Sequence, residues 1–413
     1  MAVFFKNAID ISTSTLNQYV DKDLSAYVPA DATMAIIRVR GVGDSGPSWG
    51  LRTKNSGYDV KGALSFDMTE VCVPLDASRI IQVYTTDAYG TCHFYLQGYF
   101  TADAAGWAAG YDISVLIPAS QGVWTDVDVS SYIPAGGQFA CVEYTSTSSS
   151  HYIGFRKKGS TDNRYTPHPN NYHYGYIVPL NSGRCFQMIH GNTSAVKHLY
   201  LRGYILNGRA KTNGVEYSLT TTGSYETKDL SSDNPPWGYT GALVQMYSTG
   251  SGNWTNVRMT GSSDDQYYNT INQPCYQTIA VGLDAAKQFQ GKRSNTDMQY
   301  YVLGYFTKPF RNIANHNRFD VGEFRLLSSE VTPLAQGSAL QLVAPPGDNA
   351  VIQGVTPVVD MFRLCTGTTV ADLIDNYLAA AMSDTVGLFT LNSAGEIVMA
   401  HANSGIGGRA YLY

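Results

Sequence analysis

The chain has 413 residues, a formal net charge of −5 and only 15% charged residues. With a mildly acidic isoelectric point and no basic run it offers nothing to a polyanion, which excludes nucleic acid as a partner. No window approaches the roughly 18 apolar residues of a membrane span, so membrane insertion is not expected.

The 30 tyrosines and 40 glycines, with abundant Ser and Thr, favour strands and polar turns over helices. The opening residues Met1 to Asn7 lack the basic lead and the apolar stretch of a signal peptide, which predicts synthesis and retention in a cytoplasm until some other route takes the protein out. The first unit, residues 1–101, begins with Asp10-Ile11-Ser12 and passes through Asp23-Leu24-Ser25 to the strand Met34 to Arg40. A Gly/Ser loop leads to Arg52, then come Val73-Pro74-Leu75-Asp76 and Phe94-Tyr95-Leu96-Gln97-Gly98-Tyr99-Phe100.

The same order returns twice. In residues 102–206 it reads Asp112-Ile113-Ser114, Asp128-Val129-Ser130, Arg156, Val178-Pro179-Leu180-Asn181 and Leu199-Tyr200-Leu201-Arg202-Gly203-Tyr204-Ile205. In residues 207–306 it reads Asp229-Leu230-Ser231, Arg258, Val281-Gly282-Leu283-Asp284 and Tyr300-Tyr301-Val302-Leu303-Gly304-Tyr305-Phe306. Gly98, Gly203 and Gly304 stand 105 and 101 residues apart, a period of whole domains rather than of solenoid turns. Each unit alternates short strands with turn signals, so the fold class expected is mainly β: three tandem antiparallel β-sandwiches, jelly-roll-like or immunoglobulin-like.

Residues 307–413 break the pattern. Thr369 with Asp372 forms a loose capping box. Val370, Leu373, Ile374, Tyr377, Leu378 and Ala381 fall on one stripe, which predicts a helix over about 369–382. Strands are expected at 319–327, 340–344, 386–391 and 396–400, and the segment 407–413 is a candidate for strand addition to a neighbour's sheet. This part therefore reads as a mixed α+β domain for docking or oligomerisation.

Few residues invite chemistry. Gly43-Asp44-Ser45-Gly46-Pro47 resembles the nucleophile loop of chymotrypsin-like proteases, but no His precedes position 93 to serve it. The six Cys show no metal-type spacing and sit in strand-like runs, which suits buried free thiols. No phosphate loop, dinucleotide fingerprint or carboxylate pair is present, so neither enzyme activity, cofactor nor metal is expected. Tyr165, His168, Tyr172, His173 and Tyr174 form the richest polar–aromatic cluster, a candidate loop for glycans or partner proteins. The recurring Asp23, Asp128 and Asp229 and Arg52, Arg156 and Arg258 are expected to pair within each unit as structural clamps. Tyr19, Trp124 and Tyr225 are expected in the cores.

In style, with tandem β units rich in Tyr, Gly, Ser and Thr, few Cys and no catalytic constellation, the chain resembles structural proteins of tailed-bacteriophage particles. The resemblance implies a non-enzymatic virion component of decoration, neck, tail or fibre type. Its partners would be copies of itself and other virion proteins, with host surface glycans as a further candidate. A carbohydrate-binding adhesin and a cellular surface-layer or filament subunit are the alternatives.

Overall fold

A computed structural model describes residues 2–307, except 43–46, 66, 87–91, 148–150, 169–170, 192–195, 234–238, 251 and 271–274. Beyond 307 it describes the backbone of nine strands. The chain divides into two compact units, Met1–Lys308 and Pro309–Tyr413.

The first repeat supplies β1 (Ala2–Asp10), β2 (Val20–Asp23), β3 (Met34–Gly41), β4 (Ser48–Thr53), β5 (Gly62–Ala63), β6 (Met68–Pro74), β7 (Ile80–Thr85) and β8 (Cys92–Phe100). The second supplies β9 (Ala104–Asp112), β10 (Thr125–Asp128), β11 (Phe139–Ser146), β12 (His151–Lys157), β13 (Thr166–His168), β14 (His173–Pro179), β15 (Cys185–His190) and β16 (Lys197–Ile205). The third supplies β17 (Gly208–Glu216), β18 (Glu226–Asp229), β19 (Tyr239–Ser248), β20 (Asn253–Met259), β21 (Tyr268–Thr270), β22 (Cys275–Gly282), β23 (Gln288–Arg293) and β24 (Met298–Thr307). Each repeat makes two four-stranded antiparallel sheets with the same interleaved order. In the first these are β1-β8-β3-β6 and β2-β7-β4-β5.

Residue patterning explains how the sheets stack. Strand β3 is buried on both faces. Ala35, Ile37 and Val39 pack with Trp49, Leu51, Ile81 and Val83 of the facing sheet. Met34 and Ile36 point the other way and join Phe139, Cys141, Leu243 and Phe306 of the other two repeats. A strand apolar on both faces needs cover on both sides. The three sheets built on β3, β11 and β19 are therefore inner sheets around a shared centre. The sheets built on β2, β10 and β18 lie outside and alternate half-buried with exposed residues.

The recurring glycine strand carries a β-bulge in every repeat. Ile36 faces Gly98 and Ile37 faces Leu96, leaving Gln97 over. Arg202 and Leu303 are left over in the same way. A bulge re-aims one side chain and bends the strand. The glycine beside it lets the edge strand approach, because a Cβ at Gly98 would stand 2.1 Å from the Val3 carbonyl oxygen. The corresponding distances are 2.6 Å at Gly203, from Ala105, and 2.6 Å at Gly304, from Arg209.

These findings correct the expected fold. The repeats are not three free-standing sandwiches in tandem: six small antiparallel sheets form one compact unit, with buried apolar clusters running across the repeats. The α+β assignment of residues 307–413 fails as well, because the described elements there are strands. These are β25 (Arg311–Asn312), β26 (Arg318–Asp320), β27 (Ala339–Val343), β28 (Asn349–Thr356), β29 (Phe362–Cys365), β30 (Leu373–Ile374), β31 (Ser383–Thr390), β32 (Glu396–His401) and β33 (Gly407–Leu412).

Leu373 and Ile374, expected in the helix, pair with Cys365 and Leu364 as β30; the rest of 369–382 lies outside the described residues. Strand β33, expected to reach a neighbour, lies inside its own sheet between β25 and β28. The orders β25-β33-β28-β31 and β27-β32-β29-β30 repeat the interleaving of the first three units, with β26 also paired to β33. An amphipathic stripe thus misled because the strand order, set by long-range pairing, overrode local helix propensity.

Candidate functional sites at the repeat seams and on the outer faces

The Tyr/His cluster is a seam, not a free loop. His173 is buried and stacks on Trp49 of the first repeat, with ring centroids 4.2 Å apart and planes within 3°. Its Nε2 lies 2.6 Å from Glu143 Oε2. Tyr174 is buried and donates to Asp67 Oδ2 of the first repeat at 2.6 Å. Tyr172 forms an isolated bridge with Ala63, and His168 lies buried edge-on to Tyr144. Tyr165 alone of the five belongs to an outer face, its ring centroid 4.7 Å from that of Tyr152 and tilted by 38°.

The centre holds buried charged residues that sequence reasoning missed. Arg38, Asp67, Glu70, Glu143 and Arg202 are all buried, and each bonds across a repeat boundary. Arg202, aimed inward by its bulge, donates to Glu143 Oε1 at 2.7 Å and lies over the Tyr58 ring at 3.7 Å. Tyr58 OH donates to Glu143 Oε2 at 3.0 Å. Burial pushes the Glu143 carboxyl up, but Arg202, His173 and Tyr58 outweigh it and hold the group below its ordinary range.

Arg38 and Glu70 approach only to 3.6 Å. There burial wins for both partners: Arg38 is lowered, and Glu70 is pushed up to about 7 against the pull of Arg38 and the Ala280 N–H. Burial likewise pushes Asp67 up to about 7 against the hydrogen bonds from Tyr174 and Met68. The readable signal for this set was a charge inside an apolar strand, as in Ala35-Ile36-Ile37-Arg38-Val39 and Ala140-Cys141-Val142-Glu143-Tyr144.

Around the centre the repeats close into a ring. The loop after the outer strand of the second repeat reaches the third: Asp162 Oδ2 accepts from Gly214 N–H at 2.8 Å and Ser160 bonds Asn213 at 2.9 Å. The same loop of the third repeat reaches the first: Asp264 Oδ2 accepts from Ala8 N–H at 2.8 Å and Ser262 bonds Asn7 at 3.1 Å. Between the first and second repeats Tyr58 takes the place of the aspartate. At the axis Gln277 donates to Thr69 Oγ1 and to the Gly175 carbonyl, at 3.0 and 2.9 Å. Gly175 is required there, since a Cβ would stand 2.4 Å from the Glu70 carbonyl oxygen.

The recurring Asp and Arg do not meet. Asp23, Asp128 and Asp229 each accept the N–H of the Ser two residues on, at 2.8 Å, which turns the chain at the end of the strand. Arg52, Arg156 and Arg258 instead donate to Gln82, Gln187 and Gln290, at 2.7, 2.9 and 3.1 Å. They lie over Tyr19, Trp124 and Tyr225 at 3.7, 4.3 and 3.3 Å from the ring centroids. These rings, expected in the cores, are half-buried on the outer sheets.

Carboxyls raised toward neutrality are what general acid catalysis uses, but Asp67 and Glu70 are sealed between strands. Equivalent clefts beside Arg164 and beside Arg38 measure about 10 Å³ each, room for a single water. Among the described residues no three His, Cys, Asp or Glu side chains gather to hold a metal, and no helix is long and apolar enough to cross a membrane. Cys72, Cys92, Cys141 and Cys185 are free thiols. Gly43 to Gly46 lie outside the described residues.

No family model and no curated protein matches the chain. Among solved structures it is similar to the M60 catalytic domain with two CBM51 domains of ZmpB from Clostridium perfringens. That match has 10% identity, covers 70% of this chain and 33% of that one, and has a TM-score of 0.17. At that score the likeness carries no weight for fold or function.

Proposed function

We propose that the chain is a non-enzymatic structural component of a virus particle, assembling with copies of itself and with other particle proteins. The observation that carries this reading is the closed ring of three repeats. Five buried charged side chains, Arg38, Asp67, Glu70, Glu143 and Arg202, each bond from one repeat to another. Such a body is a rigid block: its apolar clusters run across the repeats, so no repeat moves without exposing them. Rigidity with broad outer faces suits a building part. The absence of a family match leaves the resemblance in style to tailed-phage virion proteins as the support for a particle.

The test is to raise antibody to the purified chain and label particles from its native source in the electron microscope, beside light scattering of the chain alone. Regular labelling at one position on a particle is the expected result. A chain absent from particles, present only free or on a cell surface, would overturn the virion reading in favour of a surface subunit.

A further inference from the structure

The three outer aromatic clusters occupy equivalent positions but are filled differently. In the third repeat Lys292 Nζ sits among Tyr225, Trp254 and Tyr267, at 5.2, 5.3 and 5.0 Å from the ring centroids. Asp265 stands 3.3 Å from that ammonium. In the first repeat Lys61 Nζ lies 5.2 Å from Tyr19 and 4.4 Å from Tyr84, paired with Asp59 at 2.7 Å. Each of these repeats thus covers its own rings with its own ammonium and carboxylate, a cation–π arrangement that satisfies itself.

The second repeat has the rings, with Arg156 over Trp124 at 4.3 Å, but not the lysine and the carboxylate. Trp124, Tyr152 and Tyr165 match Tyr225, Trp254 and Tyr267 in the repeat alignment, while Ile189 stands at the place of Lys292 and Asn163 at that of Asp265. Among the described residues no lysine ammonium lies over Tyr152 or Tyr165. The rings rest on bare backbone: a Cβ at Gly154 would come within 2.8 Å of Trp124 Cη2, and one at Gly191 within 2.5 Å of the Tyr152 ring. Trp124 Nε1 donates to Asn163 Oδ1 at 2.9 Å, which fixes the indole and leaves the Asn163 amide N–H groups at an exposed rim. Val123 beside it is 56% exposed.

We infer that the Trp124–Tyr152–Tyr165 face binds a neutral saccharide. The C–H face of a pyranose would stack on the rings, and its hydroxyls would bond to the Asn163 amide and the Arg156 guanidinium. Aromatic rings give contact area at little entropic cost, and their polar surroundings fix orientation. The choice of a neutral ligand follows from the comparison among repeats. The one cluster with no lysine over its rings, where Arg156 is the cation against Trp124, has also exchanged the carboxylate for an amide, so a partner's lysine would find rings but no counter-charge at the Asn163 position. The inference goes beyond the structural role proposed above and stands apart from it.

The experiment is titration of the full chain with maltohexaose, cellohexaose, mannohexaose and chitohexaose, followed by calorimetry, with pentalysine as the cationic probe. Binding of at least one neutral oligosaccharide is expected. Tyr152→Ala and Tyr165→Ala should each weaken it about tenfold, the loss of one stacking ring. Trp254→Ala, in the third repeat, should leave it unchanged. Asn163→Asp, at an exposed position, keeps the acceptor for Trp124 and gives the face the carboxylate of the third repeat, and it should weaken binding at least tenfold while the melting temperature is kept. No binding of any neutral sugar, preferred binding of pentalysine, or affinity indifferent to the Tyr152 and Tyr165 changes would each overturn the inference.

Discussion

The centre of the ring and its outer faces treat the same triplication in opposite ways. On the outer faces equivalent positions keep their chemistry: an Arg, a Gln and an aromatic ring recur as Arg52–Gln82–Tyr19, Arg156–Gln187–Trp124 and Arg258–Gln290–Tyr225. At the centre equivalent positions diverge. Arg38, Glu143 and Gln245 share one place on β3, β11 and β19; Gln97, Arg202 and Leu303 share the bulge. Residues that serve a repeat's own sheets can stay alike, whereas residues that join unlike neighbours must differ if each seam is to accept only its proper partner. Like charges or unpaired groups at a wrong seam would disfavour it.

The largest effect that tests this contrast is at Arg202. Arg202→Met leaves Glu143 buried beside His173 and Tyr58 alone, and should cost about 3–5 kcal/mol in urea denaturation. Arg202→Met with Glu143→Leu should recover most of that loss, since Leu303 already fills the equivalent bulge with an apolar side chain. If the single variant were as stable as the double one, the pair would not be what holds this seam.

A second test is pH. Asp67 and Glu70 have folded values of about 7 against ordinary values near 4, so the folded state binds more protons than the unfolded state between the two. Their contribution is complete below about pH 4 and is lost as pH rises toward 7, on the order of 4 kcal/mol for each group. Asp67→Asn together with Glu70→Gln should flatten that slope in a series of melting temperatures. An unchanged slope would assign it to other groups.

The glycine strand offers a smaller effect. Gly203→Val forces a side chain against the Ala105 carbonyl oxygen and should destabilise by roughly 1–3 kcal/mol, as overpacking does. Equal stability of the variant would mean that the edge strand β9 adjusts, so its pairing beside the bulge would not be fixed.

The same contrast explains what could be read in advance. The triplication was legible because its anchors are local: Asp23 caps its own turn through Ser25, and Gly98 sits beside its own bulge. The candidate loop was half legible. Its richness in Tyr and His was real, but that richness serves the seam, where His173 stacks on Trp49 from 124 residues away in sequence. Burial of that kind is decided by which repeats meet, and no periodicity within a repeat encodes it. The central charges were visible only as oddities in apolar strands. The strands described beyond residue 307 were hidden because an apolar stripe at helical spacing stood where β30 pairs with β29.

The smallest expected effect bears on the outer faces themselves. Arg52→Lys, Arg156→Lys and Arg258→Lys each exchange a planar fork, bonded to Gln and laid over a ring, for a point charge. The guanidiniums are half-buried, so each change should cost only about 0.5–1 kcal/mol. If the clusters are equivalent, the three losses should agree within about 0.5 kcal/mol, because the sites share no partners and act independently. A loss at Arg156 well above the other two would mean that its ring, which has no lysine to cover it, depends on the guanidinium for its position. The second repeat's outer face would then differ from its counterparts in mechanics as well as in charge.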